Sequence, residues 1–364
     1  MNFSDKIRND MNIMENRTDS YNCNYIQSTA TNTSVISNED GILVSSETLE
    51  LIRKIFYCGL FPVLFLVGYT GNIFCLIVLS KEKKYTSTKV LLSLLTLADL
   101  FILSGGVFNT LLMIALLYYP TVGYAMYVRQ IPFFSAFFAP TFYNIKMEIT
   151  AIISAERLIA VFSPLRVKTV CSKRLVLSLS ITLAILITVA LVPQMFVYEI
   201  IEITVPCSEP VIVAVLTEFG KNTEFYRLYT VVTGGLFFVI PFCIVFVSTM
   251  IIIVTLSRRR NIFSTDFHMA TARLEIQEGT ITRTLVAMTT IFIICLSPMT
   301  ILSIITIIDP DNKEYRYKNN TYVVVSTISY FLLNLDSTVN FFIYMIFGSK
   351  YRRIFISLFQ GKKE

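Results

Sequence analysis

Residues 133–162, FFSAFFAPTFYNIKMEITAIISAERLIAVF, decide the fold of this 364-residue chain. The stretch is long enough to cross a bilayer, which takes about 20 helical residues, but Lys146, Glu148 and Glu156 interrupt it. Six other apolar runs need no argument: residues 55–79, 90–117, 175–196, 229–256, 285–308 and 322–347. Counting the interrupted stretch as the third of seven spans makes the charges of the connections alternate. Lys81, Lys83 and Lys84 follow the first span, and Arg166, Lys168, Lys173 and Arg174 follow the third. Arg258, Arg259 and Arg260 follow the fifth, and Lys350, Arg352 and Arg353 the seventh. With a crossing at 133–162, every basic cluster falls on one side, and the positive-inside rule makes that side and the C-terminus cytoplasmic.

Composition agrees with this reading. Hydrophobic residues make up 54% of the chain and charged ones 15%, against about 25% charged in soluble domains, and the mean hydropathy is +0.64. The net charge of +6 lies in short clusters between apolar runs, where it biases topology, so nucleic acid is not an expected partner. The expected fold is an all-α membrane protein, a seven-transmembrane helix bundle with a short amphipathic helix after the seventh span. Residues 1–50 are polar and lack the apolar core of a signal peptide, and they read as a disordered, glycosylated, extracellular tail. The acceptor patterns begin at Asn2, Asn16 and Asn32. Residues 51–348 form the membrane domain. Residues 349–364 carry an interfacial helix, with Tyr351, Ile354, Phe355 and Leu358 on one face toward membrane lipid, and a short cytoplasmic tail.

Polar side chains at membrane depth are costly and are functional hypotheses by default. Here they are Asn72, Asp99, Lys146, Glu148, Asp336 and Asn340. They are glue between helices, a pathway for ions or protons as in a transporter, or parts of a switch. No internal repeat of the transporter kind is visible. A single histidine, His268, and the lack of a Gly-rich phosphate loop, metal cluster or nucleophile motif argue against an enzyme, and no cofactor or metal is expected.

An ordered set of short motifs then resembles the rhodopsin-like G-protein-coupled receptors: Gly71-Asn72, Leu97-Ala98-Asp99, Glu156-Arg157-Leu158, Pro241, Phe292 with Cys295-Leu296-Ser297-Pro298, and Asn340-Phe341-Phe342-Ile343-Tyr344. The likeness covers residues 55–360. Within that group, residues 336–355 and 156–166 are similar to invertebrate FMRFamide-type neuropeptide receptors, including Phe341 where most relatives carry proline.

The resemblance implies a receptor for an extracellular peptide of the FMRFamide-related type that activates a heterotrimeric G protein at the plasma membrane. A receptor for another small ligand or a chemosensory cue is the alternative. It implies a coupling switch in which Arg157 pairs at rest with Glu156 and with Glu278, which precedes Pro298 by 20 residues, about five and a half helical turns. Tyr344 belongs to the same switch. Pro241 and Pro298 are implied kinks, with Phe292 packed between them and Met147. The implied ligand pocket holds Asn109, Tyr143, Asn144, Thr300, Ser303, Tyr330 and Asn334. Lys146 departs from the pattern, because relatives carry a small hydroxyl residue there that helps hold a sodium ion. The expectation is that its ammonium replaces that ion and pairs with Asp99 and Asp336, near Asn340. Leu296 and Thr249 stand where Trp and Tyr are usual, and the chain has no Trp at all.

Seven cysteines are spread along the chain, and only Cys23 and Cys207 fall in extracellular segments. In relatives the top of the third span is bridged to the second outer loop, but Pro132 occupies the expected position. A Cys23–Cys207 bridge, a Cys58–Cys207 bridge and a free Cys207 all stay open. The loop around Cys207 has two β-branched runs joined by Pro206-Cys-Ser-Glu-Pro210, which reads as a hairpin. Its Glu199, Glu202 and Glu209 would attract a cationic peptide.

Overall fold

The computed structural model describes residues 44–82, 86–163, 169–203, 210–221, 223–262, 269–308 and 319–360, with the side chains between Arg258 and Thr282 outside the description. Seven long helices run antiparallel in sequence, followed by a short eighth. They are α1 (Ser46–Lys81), α2 (Ser87–Tyr118), α3 (Ala139–Phe162), α4 (Lys173–Leu191), α5 (Ile240–Ile262), α6 (Met269–Ile308), α7 (Asn320–Phe347) and α8 (Ser349–Gln360). The helix α1 begins at Ser46, inside the segment read from sequence as tail. Six of the long helices are long and apolar enough to cross a membrane, and α3 is the exception because of its charges.

The outer surface of the bundle is as apolar as its interior. Leu66, Leu111, Val189, Ile294 and Ile346 are all more than half exposed. Such a surface is stable against lipid and not against water. Since lipid is as apolar as leucine, helices associate there through close packing and polar contacts. The contact of α1 with α7 shows both. A Cβ on Gly71 would lie 2.9 Å from Cβ of Phe341, and one on Gly68 would lie 2.6 Å from Oγ1 of Thr338. Beside them, Nδ2 of Asn72 donates to the carbonyls of Gly68 (2.9 Å) and Ser337 (2.8 Å).

Three of the spans contain π-type turns, each beside a proline. These are Ile55–Leu60 before Pro62, Ile131–Phe138 with Pro132 and Pro140, and Gly235–Val239 before Pro241. Proline lacks an N–H and its ring collides with the carbonyl four residues earlier. The wider turn moves that carbonyl aside without breaking the helix. Pro298 inside α6 is accommodated differently: Oγ of Ser297 donates to the carbonyls of Ile293 (2.7 Å) and Ile294 (3.0 Å). The second of these is the acceptor that a proline at 298 leaves without its usual partner.

The third span is longer than the sequence suggested. Pro120–Gln130, the turn Ile131–Phe138 and α3 follow one another without a break, and only Tyr119 separates them from α2. The tight reversal needs Gly123, whose absent Cβ would sit 2.4 Å from the backbone nitrogen of Leu116. At the same end, strands β1 (Tyr198–Ile203) and β2 (Val211–Leu216) pair antiparallel, with Tyr198 opposite Leu216, and β2 leans on Pro120–Gln130. At the opposite end α8 folds under α1 and α7: Tyr351 and Ile354 are buried, Phe355 and Leu358 partly so, and the Tyr351 ring stacks on Tyr344 at 5.1 Å.

Candidate functional site

Helices α2, α3 and α7 each carry one charge to the centre of the bundle. Nζ of Lys146 lies 2.7 Å from Oδ1 of Asp99 and 2.5 Å from Oδ2 of Asp336, and donates to Oγ of Ser337 at 2.9 Å. Three oxygens from α2 and α7 thus surround the ammonium. Nδ2 of Asn340 donates to the other oxygen of Asp99 at 2.7 Å. Asn72 completes the cluster through the Ser337 carbonyl. Asp99 is wholly buried, and Lys146, Asp336 and Asn340 are buried. A long amphipathic stem lets Lys146 reach across from α3 to a carboxylate on each of two neighbouring helices. Ser337 was missed by the sequence reading; its signal is the serine next to Asp336, which had no charge to draw attention.

Glu148 does not join this cluster. It is partly buried on the other flank of α3 and has no hydrogen bond or ion pair among the described residues. Next to the cluster, a cavity of about 20 Å³ is lined by Lys146, Thr150, Thr289, Phe292, Asp336 and Asn340 among others, room for one water-sized molecule.

At the α8 end, Arg157 lies 3.3 Å from Glu156, and its Nη2 also donates to Thr88 through a short contact. Glu156 accepts from Ser87 (2.6 Å) and Thr88 (3.1 Å). Both hydroxyls stand in the first turn of α2, where Thr86 caps the helix through the Lys89 amide at 3.2 Å. The Thr-Ser-Thr run at 86–88 is a sequence signal for that turn, and its role in holding Glu156 went unread. Glu278 lies on α6, but its side chain is outside the described residues, and so is any contact with Arg157. On the connection to α4, burial pushes the Cys171 thiol up, and the nearby Glu156 carboxylate adds to this while Arg157 opposes it.

Between the two charged groups, Met147, Ala151, Val245, Phe292, Leu296 and Leu333 form one apolar cluster. Phe292 and Met147 therefore share a core, and Leu296 fills the place where Trp is usual. Thr249 donates to Thr289 at 3.0 Å, joining α5 to α6 where a tyrosine contact to Tyr344 is usual.

The sequence-predicted pocket residues divide into three groups. Tyr143 and Tyr330 meet Asn334, and Asn109 meets Tyr330; Asn334 is fully buried with Nδ2 on the Tyr330 carbonyl (2.8 Å). Thr300 and Ser303 turn back to carbonyls of α6 itself, Leu296 at 3.0 Å and Met299 at 2.9 Å, and Asn144 does the same on α3 with Pro140 at 2.8 Å. Glu199 and Glu202 are both exposed on β1, but three residues apart on a strand they project from opposite faces. Glu209, Cys23, Cys207, Asn2, Asn16 and Asn32 lie outside the described residues. Cys58 is a free cysteine, with Sγ 3.9 Å from the Tyr118 hydroxyl, which removes the Cys58–Cys207 alternative.

The class of protein follows from these features and from comparison with known proteins. Residues 71–344 match the model of the 7 transmembrane receptor (rhodopsin family), and the chain belongs to that family. It is a multi-pass membrane receptor and not an enzyme. It is also similar to neuromedin-U receptor 1 of Mus musculus, with 24% identity over 314 residues, covering 82% of this chain and 72% of that protein.

Proposed function

We propose that the chain is a plasma-membrane receptor for a neuropeptide of the FMRFamide-related type, with its N-terminal tail outside and a heterotrimeric G protein engaged at the Arg157 end. The observation that carries the peptide reading is the similarity, over most of the chain, to a receptor named for neuromedin-U. The β1–β2 hairpin supports it, since an acidic rim above the bundle suits a cationic peptide. The finer FMRFamide assignment rests on the two segments at 156–166 and 336–355.

In this reading the ligand and the G protein each bind one helix arrangement better than the other, and so shift a common balance. Arg157, held by Glu156 and Thr88, marks the resting arrangement, with Glu278 as its further partner on α6. The Lys146 cluster ties α2, α3 and α7 together at mid-membrane, and the Phe292–Met147 core lets α6 move against α3. The expected result of screening amidated peptides on cells expressing the full chain is a calcium or cyclic-nucleotide response to peptides ending in an arginine-aromatic amide. Responses confined to non-peptide ligands would refute the peptide reading and leave the receptor class intact.

A further inference from the structure

The central cluster is short of positive charge. Lys146 contributes one positive charge and Asp99 and Asp336 one negative charge each, leaving one excess negative charge in a site removed from water. An uncompensated carboxylate in such surroundings is met by a cation or takes up a proton. Among the described residues the groups facing the cluster supply no second cation: Cys75 and Asn72 from α1, Tyr143 from α3, Cys295 from α6, and Asn340 and Tyr344 from α7. The place a mobile cation would take is filled by the Lys146 ammonium.

The two carboxyls meet one ammonium from different helices. Asp99 pairs with Lys146 at Oδ1, which has no hydrogen-bond partner among the described residues, and accepts from Asn340 at Oδ2. Asp336 meets the same ammonium at Oδ2. Asp336 also lines the adjoining cavity, which has room for a single water-sized molecule beside the shared charge. We propose that the Lys146–Asp99–Asp336 cluster is a proton-binding site, holding one proton shared by the two carboxyls, in the arrangement described here.

The site is placed to couple to movement of α6. Leu285, Met288, Thr289 and Phe292 form the α6 wall of the cavity. Outward displacement of that wall admits water, which stabilises the carboxylate and releases the proton. Proton binding therefore favours the closed arrangement, and acid opposes opening. By linkage a single proton changes the balance by at most about tenfold per pH unit. This coupling rests on the receptor reading above, whereas the proton site itself does not.

The test uses the purified full chain in nanodiscs of zwitterionic lipid and needs neither ligand nor G protein. Infrared difference spectra between about pH 5 and 8, the range in which physiological switches titrate, report the carbonyl stretch of protonated carboxyls. One such signal is expected in the wild type and none in Asp336→Asn or Asp99→Asn, because either substitution removes the excess charge. It should persist in Glu148→Gln and increase in Lys146→Met, where two carboxyls are left without a cation. A signal that survives both aspartate substitutions and disappears in Glu148→Gln would overturn the proposal. So would its loss when sodium replaces potassium at constant pH, since a metal ion would then be meeting the charge.

Discussion

Lys146→Met is expected to remove about 3–5 kcal/mol of stability from the bundle, the effect of leaving buried charges without their partner. In the native chain the ammonium satisfies carboxylates on two other helices at 2.7 and 2.5 Å. Methionine fills much of the same volume, so the loss measures the charge and not a cavity. Combining it with Asp336→Asn should restore a large part of the deficit, because the second substitution removes one of the stranded acids. Thermal unfolding of the four proteins in nanodiscs gives the coupling directly as a double-mutant cycle. Losses that simply add, or an unchanged Lys146→Met protein, would mean that the three charges do not act as one unit.

Gly123→Ala should be the most damaging single methyl addition at the hairpin end, destabilising by about 3 kcal/mol or more, at the upper end of what overpacking produces. The new Cβ would lie 2.4–2.5 Å from Leu116 N, Leu116 Cα and Ala115 C, atoms of a helix backbone that cannot rotate away. The two helices would have to separate at the Tyr119 turn, moving Pro120–Gln130 and the β2 strand that leans on it. Gly59→Ala provides the comparison, since nothing lies within 4 Å of its Cβ position and it should be nearly neutral. Cell-surface yield and unfolding temperature, measured on both, separate a packing clash from a general intolerance of alanine. Equal behaviour of the two variants would show that the turn is looser than described.

Much of this architecture can be read directly from residues. Six spans announce themselves by length and apolarity. The third could be counted only through the signs of its neighbours, because the charges that give α3 its role also erase its hydropathy. Lys146, Asp99 and Asp336 could be grouped before any coordinates, since a buried ammonium must find carboxylates. Amphipathic spacing was enough for α8, whose bounds at 349 and 360 match the periodic segment.

Other features have no signal in a one-dimensional pattern. Prolines predict interruptions, but whether a helix kinks, widens into a π turn or recruits a neighbouring serine depends on local packing. The helical extension at Pro120–Gln130 is polar and aromatic enough to read as loop, and only Gly123 hints at the close reversal. Ser87, Thr88 and Ser337 are ordinary hydroxyl residues until a buried charge is placed beside them. The acidic hairpin is legible by composition, and composition does not distinguish the two faces of a strand, on which Glu199 and Glu202 alternate.

The claim underlying the whole account is that charged groups inside the bundle hold a balance that carries an outer signal to the inner surface. The most direct test is guanine-nucleotide exchange on purified G protein by nanodisc receptor, with and without the activating peptide identified by screening, for the wild type and Arg157→Ala. Peptide binding retained with exchange lost is the predicted result. Exchange by Arg157→Ala equal to that of the wild type would contradict the account.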